Sequence, residues 1–183
     1  GFALGVLARA GASPARPALW VRTRRKDNSH LVLSGQGLTS VGLAPDAVVQ
    51  VGARDVADAL KAALEGLRCA ALSAVLVDLG TGARRLDQTA VRRLSLAAKE
   101  HGVMGLVVGV DANPPTSPAL TRWQIEAAPS RSPRLHLSGA NPSGLGLPGD
   151  PVFVVRLLKH RFVQAGQSWP LEWNHEHRCF THA

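Results

Sequence analysis

Asp78 is the residue from which chemistry can be read first. It stands near the end of the apolar run Leu72-Ser-Ala-Val-Leu-Val-Asp-Leu-Gly80, which passes into a Gly-Thr-Gly turn at 80–82. A short apolar run bounded by turn residues reads as a strand buried on both faces, the central kind in an α/β sheet. A carboxylate at its carboxyl end faces the crevice where open α/β sheets bind ligands. In nucleotide hydrolases that carboxylate positions the metal ion on the phosphates. Asp111, just beyond a second apolar run at 103–110, is the other carboxylate in such a place. Two further readings stay open: an α/β enzyme using both carboxylates, and an Asp78 kept by strand-end geometry alone.

The second chemistry is cationic. Arg84 and Arg85 close the loop after the Asp78 strand, and Arg92 and Arg93 fall on the exposed side of the next helical pattern. Arg22, Arg24, Arg25 and Lys26 form another cluster, and Arg156, Lys159 and Arg161 a third. Arginine's planar fork pairs with phosphate oxygens two at a time, which suits anionic polymers; the plainer account of each cluster is a solvated charged surface. The chain has no tyrosine and only 4% aromatics, so no interleaved aromatic platform accompanies the cations and base stacking is not expected. Near the end, His175, His177 and Cys179 would share one face of a strand and could converge on a metal. The spacing matches no established zinc pattern, so an edge strand or flexible end is the better reading and no resident metal is expected.

These residues need elements to hold them. The chain has 183 residues, enough for one domain of ordinary size, and 45% hydrophobic content supports a real core. Lys plus Arg number 21 against 13 Asp plus Glu, a net charge of +8. That excess favours nucleic acid over membrane as a partner, unless it reflects only an arginine- and alanine-rich genome. The longest apolar run, 102–110, is far short of the roughly 20 residues a membrane span needs. Two distant cysteines, Cys69 and Cys179, make no disulfide framework and fit a reducing, cytoplasmic setting. Cys69 reads as a small buried hydrophobe. The tryptophans read as core or interface residues.

Along the chain, 2–10 reads as the end of a helix stopped by Gly11 and Pro14. Strands are expected at 17–23, 48–51, 72–80 and 103–110. A long connection covers 34–45, and helices cover 54–68, with Asp55 as N-cap, and 87–100, closed by a left-handed Gly102. After a Pro-rich loop at 111–118 the pattern turns to alternation at 121–126, 152–159 and 169–173. Those strands are expected to be antiparallel and appended to the sheet. The segment 129–151, rich in Pro, Gly and Ser, reads as a mobile loop. Alternating strands and helices make a parallel sheet covered on both faces. The opening residues carry no basic leader, no methionine and no helix cap, and they begin inside an amphipathic pattern. The chain is therefore expected to be the remainder of a longer one.

One ordered run of motifs is more specific than any single site. Phe2-Ala-Leu, Ala18-Leu-Trp-Val, Gly37-Leu, Val41-Gly-Leu-Ala-Pro-Asp46, Asp58-Ala-Leu, Glu65-Gly-Leu-Arg-Cys-Ala70, Arg92-Arg-Leu-Ser-Leu-Ala-Ala98, Thr121-Arg-Trp123 and Leu171-Glu-Trp173 follow one another. In that order the chain resembles the ImuA family, the RecA-like proteins of bacterial inducible-mutagenesis cassettes. The resemblance implies a RecA-like three-layer α/β core with a central, mostly parallel sheet and antiparallel C-terminal strands. It implies a single domain over 1–183: a crossover core at 1–128, a loop at 129–151 and an antiparallel tail at 152–183. The implied role is a non-catalytic accessory of SOS-induced, error-prone translesion DNA synthesis in the bacterial cytoplasm. Its partners would be ImuB, a Y-family-like polymerase homologue, and an error-prone C-family polymerase, with RecA and single-stranded DNA left open.

In RecA-like folds the loops after the central strands carry DNA contacts, which makes Arg84, Arg85, Arg92 and Arg93 the implied phosphate-contacting set. Arg24, Arg25 and Lys26 are a second candidate set. A RecA-like ATPase also needs a Gly-x-x-x-x-Gly-Lys-Ser/Thr phosphate loop before the opening helix, and no such sequence occurs between 1 and 183. Where the activating glutamate is expected after the first strand, the chain has Val21-Arg-Thr-Arg-Arg25. Asp78 then reads as a vestigial cofactor-site carboxylate, and no cofactor is called for. The alternative is an active ATPase whose phosphate loop lies upstream of residue 1.

Overall fold

The computed structural model describes residues 1–23, 33–110, 117–130 and 149–183. The expected loop at 111–118 and the mobile loop at 129–151 fall mainly outside the described residues. In chain order the elements are α1 (Phe2–Arg9), β1 (Ala18–Thr23), α2 (Gly35–Ser40), β2 (Val48–Ala53), α3 (Val56–Leu67), β3 (Ala74–Gly80), α4 (Gln88–His101) and β4 (Met104–Gly109). Then follow β5 (Thr121–Ala128), β6 (Val152–His160), β7 (Ser168–Asn174) and β8 (Cys179–His182). The chain divides into a larger unit, Ala3–Leu120, and a smaller one, Thr121–Ala183 together with Gly1–Phe2.

In the larger unit β3 is the organising strand. Its side chains alternate between two buried clusters, as a strand with no solvent face must. Val75, Val77 and Leu79 pack with Val21, Ala59, Ala63, Leu67, Leu94 and Ala97, the α3/α4 side. Ala74 and Leu76 pack with Leu7, Ala18, Leu38 and Leu43, the α1/α2 side. The result is the expected three layers, helices on both faces of a parallel sheet ordered β2-β1-β3-β4. The apolar run at 103–110 forms β4 at the edge of that sheet, which leaves Val107 and Val110 exposed.

Local signals place the helices. Asp55 caps α3, its carboxylate accepting from the Asp58 N–H at 2.8 Å, and Gly102 closes α4 with φ 65°. The connection at 34–45 contains the unforeseen helix α2. Ser34 Oγ caps it by accepting from the Gly37 N–H at 3.3 Å, and Leu38 supplies its buried contact. Cys69 is exposed, against expectation, because it follows the C-cap Arg68 in the turn leaving α3.

In the smaller unit the C-terminal strands are antiparallel, as expected. Instead of extending the parallel sheet, they form a second four-stranded sheet, β5-β6-β7-β8, and satisfy one another's main-chain groups. One face is aromatic: Trp173, Phe180, Phe153 and Phe2 form a chain of ring contacts, with Trp173 buried. Residues 175–178 turn from β7 into β8, and Asn174 Oδ1 accepts from the His177 N–H at 2.7 Å. His175 and His177 therefore share no strand face with Cys179. No group of three His, Cys, Asp or Glu able to hold a metal occurs among the described residues. None of the described helices is long and apolar enough to cross a membrane.

Candidate functional site at the carboxyl edge of the parallel sheet

The order β2-β1-β3-β4 sends the chain from β1 outward to β2, then back past β1 to β3 and on to β4. The connections leaving β1 and β3 thus diverge. The gap between their carboxyl ends is a topological switch point, the place where open α/β sheets hold ligands. Arg22 and Asp78 are register partners there, side by side on the α1/α2 face one step beyond Trp20 and Leu76. Val108 of β4 is the partner of Asp78 on its other side.

Asp78 is half-buried, and one of its oxygens is already committed locally: Oδ1 accepts from the Gly80 N–H at 3.1 Å. This turn ends the strand. The β3–β4 register slips between Asp78 and Gly80, and Gly80 takes φ 50° and ψ −131°, a conformation open to glycine. The next residues, Thr81–Arg85, form a 3₁₀ helix where a simple loop was expected. Ala83 anchors it by burial, which leaves Arg84 exposed. Gly82 passes so near α3 that a Cβ there would meet Val56 Cγ2 at 2.9 Å, so the turn needs glycine to lie down on the helix.

Arg84 and Arg85 thus follow the central strand directly, and Arg92 and Arg93 occupy the solvent side of α4, whose Val91 and Leu94 are buried. Arg24, Arg25, Lys26 and Asp111 lie outside the described residues. The structure adds a cation that the cluster pattern missed. Arg54 follows β2, so arginine succeeds the carboxyl end of each of the neighbouring strands β2, β1 and β3. Only the strand order reveals this, because the three positions are scattered in sequence. Arg54 is paired: its Nε donates to Asp58 at 2.6 Å. That hydrogen bond holds the Asp58 carboxyl below the usual carboxylate range and the Arg54 guanidinium above its own.

Chemically the edge is a rim of arginines, and Arg22 is the register partner of Asp78, the one described carboxylate at the switch point. Guanidinium groups pair with phosphate oxygens and do not act as bases.

The fold and this edge define a three-layer α/β protein with a cationic switch point, in keeping with the RecA-like expectation. Comparison with known proteins carries the assignment further. No protein-family model matches the chain. Over 164 residues it is 31% identical to Protein ImuA of Caulobacter vibrioides strain NA1000 / CB15N, covering 84% of this chain and 59% of that protein. Protein ImuA of strain ATCC 19089 / CIP 103742 / CB 15 matches to the same extent. This similarity supports membership of the ImuA family, as the ordered motifs led one to expect. The chain spans about three-fifths of the length of these relatives. Among solved structures, SulA from Pseudomonas aeruginosa is similar at a TM-score of 0.43 and 23% identity, over 60% of this chain and 86% of that one.

Proposed function

We propose that this chain is a non-catalytic RecA-like accessory of SOS-induced, error-prone translesion DNA synthesis. It binds ImuB within an assembly that includes an error-prone C-family polymerase, and it contacts DNA through the arginine rim. The similarity to curated ImuA proteins carries this reading. The Arg22–Asp78 register pairing supports its non-catalytic part, because the β1 residue level with the carboxylate is an arginine, which cannot serve as a base. Arg84, Arg85, Arg92 and Arg93 are the phosphate-contacting set of this reading, and Arg24, Arg25 and Lys26, which follow β1 in sequence, are its second set.

One observation favours a second reading, an active ATPase completed by a phosphate loop upstream of residue 1. Asp78 sits at the switch point itself, where such a carboxylate works. Turnover of ATP by the full-length protein, with magnesium and single-stranded DNA present, separates the two. The accessory reading expects no turnover above background together with capture of ImuB in a pull-down. ATP turnover that Asp78→Asn abolishes sinks it.

A further inference from the structure

The sheet of the smaller unit has a second face, opposite the aromatic one. Side chains alternate along a strand, and residues level with each other in an antiparallel pair share a face. Phe153, Trp173 and Phe180 take the aromatic side. Register therefore puts Gln124, Glu126, Val154, Arg156, Pro170 and Glu172 together on the other. Glu172 is half-buried there and the rest are exposed.

The charges on this face are sorted along the strands. Glu172 is level with Val152 and Glu126 with Val154, where β6 begins. Arg156 lies further along, about 7 Å beyond the level of Glu126 and about 14 Å beyond that of Glu172. The register shift between Arg122 and Trp123 keeps the Arg122–Lys159 pair on this face, past Arg156. Between acids and cations lie Val154 and Pro170, register partners that make the middle apolar. Glu126 Oε1 accepts from Gln124 Nε2 at 2.6 Å. Among the described residues no ion pair joins Arg156 to either carboxylate.

A face that is acidic at one end, apolar in the middle and cationic at the other complements itself turned end for end. We propose that two copies of the chain pair through this face, about a two-fold axis that lies between the sheets and crosses the strands. That rotation reverses the strands and sets Glu126 and Glu172 of one copy against Arg156 of the other. The contact is isologous, so every such pair forms twice. β5 and β7 flank β6, which leaves each acid about one strand spacing, ~4.8 Å, to the side of the facing cation and within reach of its long side chain. An axis along the strands would instead stack acid on acid, a like-charge contact that opposes association. The charge pattern thus selects the orientation. It also disfavours a nucleic acid here, because Glu126 and Glu172 repel phosphate. The inference rests on this sheet alone and does not depend on the accessory reading.

Sedimentation velocity of the 183-residue chain, 19.3 kDa as a monomer, reads the association over a range of concentrations. The wild type should pass to a dimer as concentration rises, and added salt should shift it back, since exposed pairs are screened. Arg156→Glu should weaken the dimer at least about tenfold by setting acid against acid, and Glu126→Lys with Glu172→Lys should do the same with cations. Mixed in equal amounts, the two reversed variants should pair with each other, because every acid then meets a cation again. Thermal melts show that each variant is folded. Arg156→Gln, which removes the cation without adding repulsion, should also weaken the dimer and serves if a reversal disturbs the fold. A wild type that stays monomeric at every concentration and salt overturns the proposal. So does an undiminished dimer in Arg156→Glu or Arg156→Gln, or a mixture in which the folded reversed variants stay apart. No readout involves ImuB or DNA, so failure here leaves the arginine rim and the accessory reading to their own tests.

Discussion

Replacing Arg84 and Arg85 by alanine tests the rim most directly, because the outcome has a size. Arg84 is exposed on a 3₁₀ turn anchored by buried Ala83, so the substitution leaves the buried anchor of the turn in place. Surface changes of this kind shift stability by no more than about 0.5 kcal/mol, and a thermal melt should move little. Each phosphate neutralised on a single strand contributes about 0.7 to the slope of log affinity against log salt. Losing two contacts reduces that slope by about 1.4. Over a fourfold rise in salt, the variant then loses about sevenfold less affinity than the parent. Contacts elsewhere add equally to both proteins and cancel from the difference. Fluorescence anisotropy with a labelled single strand at several salt concentrations reads the slopes. Equal slopes in parent and variant refute the placement of phosphate at this turn, whatever the absolute affinities.

Three further outcomes follow from the packing and the caps. Leu76→Ala, at a β3 position only 1% exposed, should cost about 2–5 kcal/mol in urea unfolding; a loss below about 1 kcal/mol would mean that the α1/α2 face does not close over it. Asp55→Ala should cost about 1 kcal/mol by removing the α3 cap, and Asp55→Asn should recover most of that; equal losses in both variants would discount the cap. Asp58 should titrate below the ordinary value of about 3.9 in carboxyl-detected NMR, and Arg54→Gln should move it back up. Because its folded value is depressed, its contribution is complete above that ordinary value and fades as pH falls through the folded one. A midpoint that ignores Arg54→Gln rejects the pair.

Much of the larger unit was legible because its signals are local. The apolar run ending at Asp78 could only be a strand buried on two sides, and Asp55 and Gly102 mark helix ends through their own side chain and φ. Helix α2 escaped notice because 34–45 is dense in turn residues, and only the burial of Leu38 turns it into a helix. Cys69 was misplaced for a related reason: small size suits burial, but a residue just past a helix end follows the turn outward. The spacing of His175 and His177 suggests alternation along a strand, whereas residues 175–178 reverse the chain into β8.

The carboxylate at residue 78 shows where the division lies. Composition and periodicity by themselves determined that this chain has an α/β core, that Asp78 ends its central strand, and that arginines follow it. They determined an excess of positive charge, but not where the charge gathers. Tertiary structure decided that Arg22 is the register partner of Asp78, that Arg54 joins the same edge, and that the C-terminal strands form a second sheet of their own. The reason is physical. Helix caps and strand alternation depend on residues a few positions apart, which sequence displays. Strand order and register depend on contacts across tens of residues, and those are set by how the buried faces close upon one another.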